Sequence, residues 1–196
     1  MPDLTLASAV HAAARQLADA GVSDPLVDAE LLAGHVLGLR RGEVQAVIIR
    51  GDAVEEADAD SLRALVTRRA GREPLQHITG TAPFRHLELA VGPGVFVPRP
   101  ETETVVQYAI DALLGSALPA PIGIDLGTGS GAIALAMATE VPHARVFATE
   151  LSPDAYPWAV RNTAGVDNLT LVNEDLAHAF PELDGTASVV LSLIHI

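Results

Sequence analysis

Asp125-Leu126-Gly127-Thr128-Gly129-Ser130-Gly131 stands between an apolar run, Ile122, Ile124 and Leu126, and a helix-forming run over residues 132–138. The order strand, glycine-rich turn, helix decides the fold. Glycines at alternate positions let the backbone leave a strand sharply and come within van der Waals distance of a ligand, while the first N–H groups of the helix point at it. A second strand-like run at residues 145–149 closes on Glu150, where an acceptor for ribose hydroxyls belongs in a nucleotide-binding α/β unit. A tight structural turn is the plain alternative. The spacing separates two cofactor types. A pyrophosphate site of the dinucleotide kind has Gly-x-Gly-x-x-Gly, whereas Gly127, Gly129 and Gly131 are each two apart and Asp125 sits two residues before the first.

Composition narrows the remainder. The chain of 196 residues is long enough for one domain and a smaller one, and with 49% hydrophobic but 4% aromatic residues its core must be built from Ala, Val and Leu. There is no cysteine, which excludes disulfides and thiolate metal sites. No charged start followed by an apolar stretch opens the chain, and no apolar run approaches the ~20 residues of a membrane span. A soluble, cytoplasmic protein without membrane contact is the expectation. The net charge of −13, from 25 acidic and 12 basic residues, repels phosphate backbones, so no direct nucleic-acid partner is expected. Arg63, Arg68, Arg69 and Arg72 are the nearest approach to a basic cluster, and their helical spacing reads as a solvated face.

Before the glycine-rich turn, residues 1–71 read as a small helical domain. Residues 4–20 carry Leu6, Val10 and Leu17 at helical spacing. Ser23 or Asp24 caps a second helix that starts at Pro25 and ends before Gly38. Shorter and longer helices are expected over 43–48 and 55–70. Residues 72–99 read as a β connector: 75–97 is β-favouring and broken by Gly80, Pro83, Gly92, Pro93 and Gly94, as in a hairpin. His77 and His86 lie here without a third ligand at metal spacing, and no metal site is expected. The strand must end at Pro98-Arg99-Pro100. Glu101 and Glu103 then fall in the first turn of a helix reaching about Leu114, where the helix dipole favours carboxylates. Arg99, between two prolines, is held on a rigid backbone that fixes where its fork points.

The Asp-x-Gly-x-Gly-x-Gly stretch resembles the first motif of S-adenosylmethionine-dependent methyltransferases. That resemblance implies a Rossmann-like class I domain, with S-adenosyl-L-methionine as cofactor. Its methionyl part would be held by Asp125, Gly127, Thr128, Gly129, Ser130 and Gly131, its ribose by Glu150, and its adenine by Asp175 and Leu176 after the β-like run at 169–172. An ordinary loop carboxylate is the alternative for Asp175. A longer resemblance rests on Arg72-Glu73-Pro74-Leu75-Gln76-His77-Ile78-Thr79-Gly80, on Phe84, on residues 91–103 and on residues 125–136, with Asp28-Ala29-Glu30-Leu31-Leu32 in the helical part. These are similar to HemK-type protein glutamine methyltransferases, and Pro-Arg-Pro-Glu-Thr-Glu is the most specific part. The resemblance implies an enzyme, monomeric at full length, that methylates the side-chain amide of the glutamine in the Gly-Gly-Gln tip of peptide chain release factors, with Phe84, Arg99 and Glu101 on the substrate side. A ribosomal protein glutamine methyltransferase shares these motifs. A non-catalytic binding fragment is the reading from another class.

The family's amide-holding Asn-Pro-Pro-Tyr motif should follow the fourth strand, expected at 187–190. The chain instead reads Leu191-Ser192-Leu193-Ile194-His195-Ile196. That hexapeptide is also the in-frame translation of a transposon-end adapter, so 191–196 is read as a non-native tail. His195 is then given no functional weight. The expectation is a partial methyltransferase domain over 100–190 that retains cofactor residues, no catalytic motif and no activity of its own.

Overall fold

The computed structural model describes residues 4–193. The chain separates into two compact units, Met1–Thr79 and Gly80–Ile196.

The first unit is helical. Helix α1 (Leu6–Asp19) is capped by the Thr5 hydroxyl, which accepts the Ser8 N–H, and it buries Leu6, Val10, Ala13 and Leu17 on one stripe. Against that stripe pack α2 (Pro25–Leu37) and α4 (Glu56–Ala70), with α3 (Arg41–Arg50) against α2. Helix α3 outruns the expected 43–48 at both ends. Its start is held by Glu43, whose carboxylate accepts the Arg40 N–H at 2.7 Å. Residues 75–79, expected to be β, form a helical turn, α5 (Leu75–Thr79). Ile78 is thereby buried in the core of the first unit, and tertiary burial overrides β propensity. Of the arginines expected on a solvated face, Arg63, Arg68 and Arg72 are exposed and Arg69 is half-buried. Arg69 donates to the buried Asp28 at 2.7 Å, Arg68 pairs with Glu73, and Arg72 reaches the Gly21 carbonyl.

The second unit opens with a hairpin, β1 (Thr81–Phe84) and β2 (Leu87–Ala90), paired antiparallel with Phe84 opposite Leu87. Its turn is held by Arg85, a non-glycine residue at φ 53°. The Arg85 guanidinium donates to both oxygens of Glu140 at 2.6 and 2.7 Å and to Gln107 Oε1 at 2.7 Å, while its backbone N–H donates to Glu103 Oε1 at 3.0 Å. Those partners lie on α6 (Pro100–Leu114) and α7 (Ala132–Glu140), so one side chain fastens the hairpin to both helices.

The parallel sheet has the order β5-β4-β3-β6, formed by β3 (Ile122–Leu126), β4 (Arg145–Thr149), β5 (Leu169–Val172) and β6 (Val189–Ser192). Its strands are apolar because helices or loops cover both faces. Strand β6 pairs with β3 from Gly123 opposite Val189 to Leu126 opposite Ser192. It therefore starts later than expected and runs on through Leu191 and Ser192, and Leu191 packs against the main core. His195 lies outside the described residues. Between β4 and β5 runs α8 (Tyr156–Thr163), which the sequence reading did not single out. Helix α7 is buried from Ala132 to Ala138 without a polar face, as a helix enclosed on all sides requires. Among the described residues no helix is long and apolar enough to cross a membrane.

Candidate functional site

Three successive strand ends build the site, at the carboxyl edge of the sheet where open α/β folds place ligands. The chain leaves β3 through Gly127, Gly129 and Gly131, all left-handed at φ 77°, 59° and 84°. No other residue takes three such positions within five without strain. The loop is tied to the neighbouring strand: the N–H groups of Gly127 and Thr128 both donate to the Thr149 carbonyl at 2.9 Å. A Cβ built on Gly129 meets nothing within 4 Å, so the tip of the loop borders open space.

Glu150, at the end of β4, faces the loop. One carboxylate oxygen accepts the Gly129 N–H and the other the Ser152 N–H, each at 2.8 Å. Asn173, after β5, donates to the Glu150 carbonyl at 2.6 Å and fixes the third strand end against the second. Asp175 and Leu176 follow. Asp175 Oδ1 accepts the Ala177 N–H at 2.9 Å, closing a local turn, and Leu176 is 41% exposed. With Gly127 and Glu150 they line a cleft of about 340 Å³.

Asp125 lies beneath the loop, 1% exposed. Its Oδ2 accepts from the Thr128 hydroxyl at 2.5 Å and from the Ala134 N–H in the first turn of α7 at 3.2 Å. Its Oδ1 has no hydrogen-bond partner among the described residues. Burial pushes this carboxyl up to about 6; the bonds from Thr128 and Ala134 oppose the rise, and the charge of Glu150 adds to it.

On the other side of the loop a cleft of about 610 Å³ lies between Gly127, Thr128, Gly129, Ser130 and the segment carrying Phe96, Arg99 and Glu101. Arg99 is the N-cap residue of α6, with Pro100 at the first helical position. Its guanidinium carbon stands 5.1 Å from the centre of the Phe96 ring, within cation–π range. Phe96, 62% exposed, was not singled out in the sequence, where only its place two residues before Pro98 was readable. Phe84 does not belong here. It is 1% exposed and packed in the main core, because alternation along β1 turns Ala82 and Phe84 inward. Phe84 is a core residue and, contrary to the expectation, does not line the substrate-side cleft.

Asn162 on α8 is a second residue the sequence did not single out. Its side-chain oxygen accepts the Ala90 N–H at 2.8 Å, and its NH₂ donates to the carbonyls of Ala90 and Ser130 at 2.9 and 2.8 Å.

Comparison with known proteins agrees with this architecture. Residues 8–80 match the PrmC N-terminal domain and residues 124–196 match a methyltransferase domain. The second match contains the glycine loop, Glu150 and Asp175, so the class is that of proteins pairing a PrmC-type helical domain with a methyltransferase domain. A protein of Streptomyces coelicolor named release factor glutamine methyltransferase is 52% identical over 188 residues, covering 95% of this chain and 64% of that protein. Proteins of the same name from Bifidobacterium longum and Mycolicibacterium smegmatis are 40% and 45% identical, covering 93% and 95% of this chain and 66% and 64% of theirs. The chain is similar to these release factor glutamine methyltransferases and spans less than two thirds of their length. Among solved structures, precorrin-6y C5,15-methyltransferase from Geobacter metallireducens aligns with a TM-score of 0.38 and 20% identity, over 48% of this chain and 49% of that one.

Proposed function

We propose that this chain carries the cofactor half of an S-adenosylmethionine-dependent protein methyltransferase. At the length of its relatives, that enzyme would methylate the side-chain amide of the glutamine in the Gly-Gly-Gln motif of peptide chain release factors. The observation that carries the reading is the pairing of the left-handed glycine loop with the Glu150 carboxylate at the end of the next strand. Each Glu150 oxygen accepts one backbone N–H and keeps capacity for another donor, which suits two ribose hydroxyls. Asp125, with an unpartnered oxygen, and Glu150 put two carboxylates beside the loop. That charge disfavours a pyrophosphate and favours a ligand bearing a sulfonium and an ammonium. Asp175 and Leu176 in the adjoining cleft would take the adenine.

The bound cofactor supplies an electrophilic methyl group. The chain's own contribution is placement. The loop fixes one wall of the larger cleft, and the segment with Phe96, Arg99 and Glu101 forms the other. An amide nitrogen is a poor nucleophile because its lone pair is delocalised into the carbonyl. Transfer therefore depends on holding that nitrogen in line and at near-attack distance. Acceptors that orient the NH₂ group are needed as well, and the sequence contains no Asn-Pro-Pro-Tyr. That observation favours a second reading of the 196-residue chain taken alone, in which it binds cofactor without turning over.

Titration calorimetry with S-adenosylhomocysteine tests the cofactor site. The chain should bind it, and Gly129→Val, which places a branched side chain at the open tip of the loop, should abolish binding; equal affinity in that variant would refute the assignment. The substrate is tested with labelled S-adenosylmethionine and a chain extended to the length of its relatives. Label should enter a release factor and not its variant with the Gly-Gly-Gln glutamine replaced by alanine. Equal labelling of both would remove the glutamine from the reading.

A further inference from the structure

We propose that Asn162 is a positioning residue that couples the glycine loop to the segment following β2, so that a ligand seated on the loop is registered against the opposite wall of the cleft. The use of that register rests on the cofactor reading above; the coupling itself does not. Asn162 commits its whole amide: the oxygen to the Ala90 N–H, and the NH₂ to the Ala90 and Ser130 carbonyls. No other side chain of its length offers one acceptor and two donors at the same place. Aspartate keeps the first bond and loses the other two.

The rest of α8 and the turn before it press on the same two segments. On the loop side, a Cβ at Gly131 would stand 3.2 Å from Thr163 Cγ2 and 3.7 Å from Ala159 Cα. On the other side, a Cβ at Gly92 would meet the Trp158 ring at 2.5 Å, and one at Gly94 would meet Asp154 Cβ at 2.8 Å. The Trp158 indole N–H donates to the Pro93 carbonyl at 3.2 Å. Phe96, on one wall of the 610 Å³ cleft, lies two residues beyond Gly94, and Ser130 is on the other wall. The hairpin is not hydrogen-bonded into the parallel sheet. Beside the Arg85 fastening to α6 and α7, α8 thus bridges the two walls, and among the described residues Asn162 is the side chain of that helix hydrogen-bonded to both. In a transfer between two bound groups, a misplacement of about 1 Å costs on the order of a hundredfold in rate.

Amide hydrogen exchange on the 196-residue chain reads the coupling directly. Gly129→Ala strains the loop at φ 59° without a new contact, because its Cβ would point into open space. With Asn162 present, that strain should raise exchange at Ala90 and Val91 by about threefold or more. In the Asn162→Asp background the same change should leave those amides within about 1.5-fold, since the bond to Ser130 is gone. A second arm uses S-adenosylhomocysteine. Its binding should slow exchange at the loop and at residues 90–96 in the parent, and at the loop alone in Asn162→Asp. Asn162→Ser carries the same comparison if the aspartate variant unfolds. A merely structural asparagine would lower stability in every variant without making the response of residues 90–91 depend on the background, and equal responses in both backgrounds overturn the proposal. Failure of the parent to bind S-adenosylhomocysteine would overturn the cofactor reading instead, while the first arm still decides the coupling.

Discussion

Replacing Arg85 by alanine removes the fastening between the hairpin, α6 and α7. The side chains of Arg85 and Glu140 are 11% and 22% exposed, so the pair is mostly desolvated. Removing one member of a buried pair costs about 3–5 kcal/mol. The residual exposure places this one at the lower end, and we expect a loss of about 3 kcal/mol. A second substitution separates the fastening from the backbone. Arg85 is held at φ 53°, a conformation that costs a non-glycine residue about 1–2 kcal/mol. Arg85→Gly loses the same bonds but relieves that strain, so it should be more stable than Arg85→Ala by about 1 kcal/mol.

Urea denaturation followed by the fluorescence of Trp158, the single tryptophan, reports on the right unit. The effect also has a pH signature. Hydrogen bonds from Arg85 hold the Glu140 carboxyl below its ordinary 4.5. A carboxylate depressed in the folded state stabilises above its unfolded value and loses that contribution as pH falls through the folded one. The gap between parent and Arg85→Ala should therefore be full at neutral pH and narrow as pH drops below 4.5. A loss under about 0.5 kcal/mol, the range of an ordinary surface change, or a glycine variant less stable than the alanine one, would refute the reasoning.

Asp125→Asn should flatten the pH dependence of stability in the opposite window. The folded carboxyl is pushed from 3.8 up to about 6, so the parent should lose stability as pH rises between those values and level off above them, and the variant should not; a parent-minus-variant difference that does not change across that range would sink the assignment. Glu150→Ala removes a charged acceptor for Gly129 and Ser152, an interaction worth ~1.5–3 kcal/mol, and calorimetry should show S-adenosylhomocysteine affinity reduced by about tenfold or more. Binding within about twofold of the parent would leave Glu150 only a tether of the loop. Gly92→Ala places a methyl group 2.5 Å from the Trp158 ring; overpacking of this kind costs ~1–3 kcal/mol and should shift both the urea midpoint and the Trp158 emission, and an unchanged midpoint would mean that α8 yields easily.

The core of the site was legible because its signals are local. Each of the first three sheet strands is a short apolar run, and the turn after the first spells its own conformation in glycines. Glu150 and Asp175 follow from counting to the ends of the next two strands. What could not be read depends on distant partners. Residues 75–79 look β-favouring, yet they turn helical because Ile78 completes the core of the first unit. The family resemblance implies a substrate-side place for Phe84, and strand alternation turns it inward. Arg85 and Asn162 carry no motif. Their partners lie 18 to 55 and 32 to 72 residues away, and only the folded chain brings these groups together.

The alanine-rich interior limits how this unit can vary. Ala132, Ala134, Ala136 and Ala138 on α7, with Ala109, Ala144, Ala148 and Ala155 around them, are all buried in one cluster, and aromatic residues make up only 4% of the chain. Truncating any of these alanines removes a single methyl group, so none of them can open a cavity of the size a lost leucine leaves. Enlarging one has nowhere to put the added atoms, because the surrounding backbones are already close. Damage at these alanine positions is one-sided: they resist deletion and are broken by growth. Substitutions toward larger residues should therefore be tolerated on the exposed faces of α6 and α8 and refused on α7, so that variation is channelled away from the helix that carries the glycine loop.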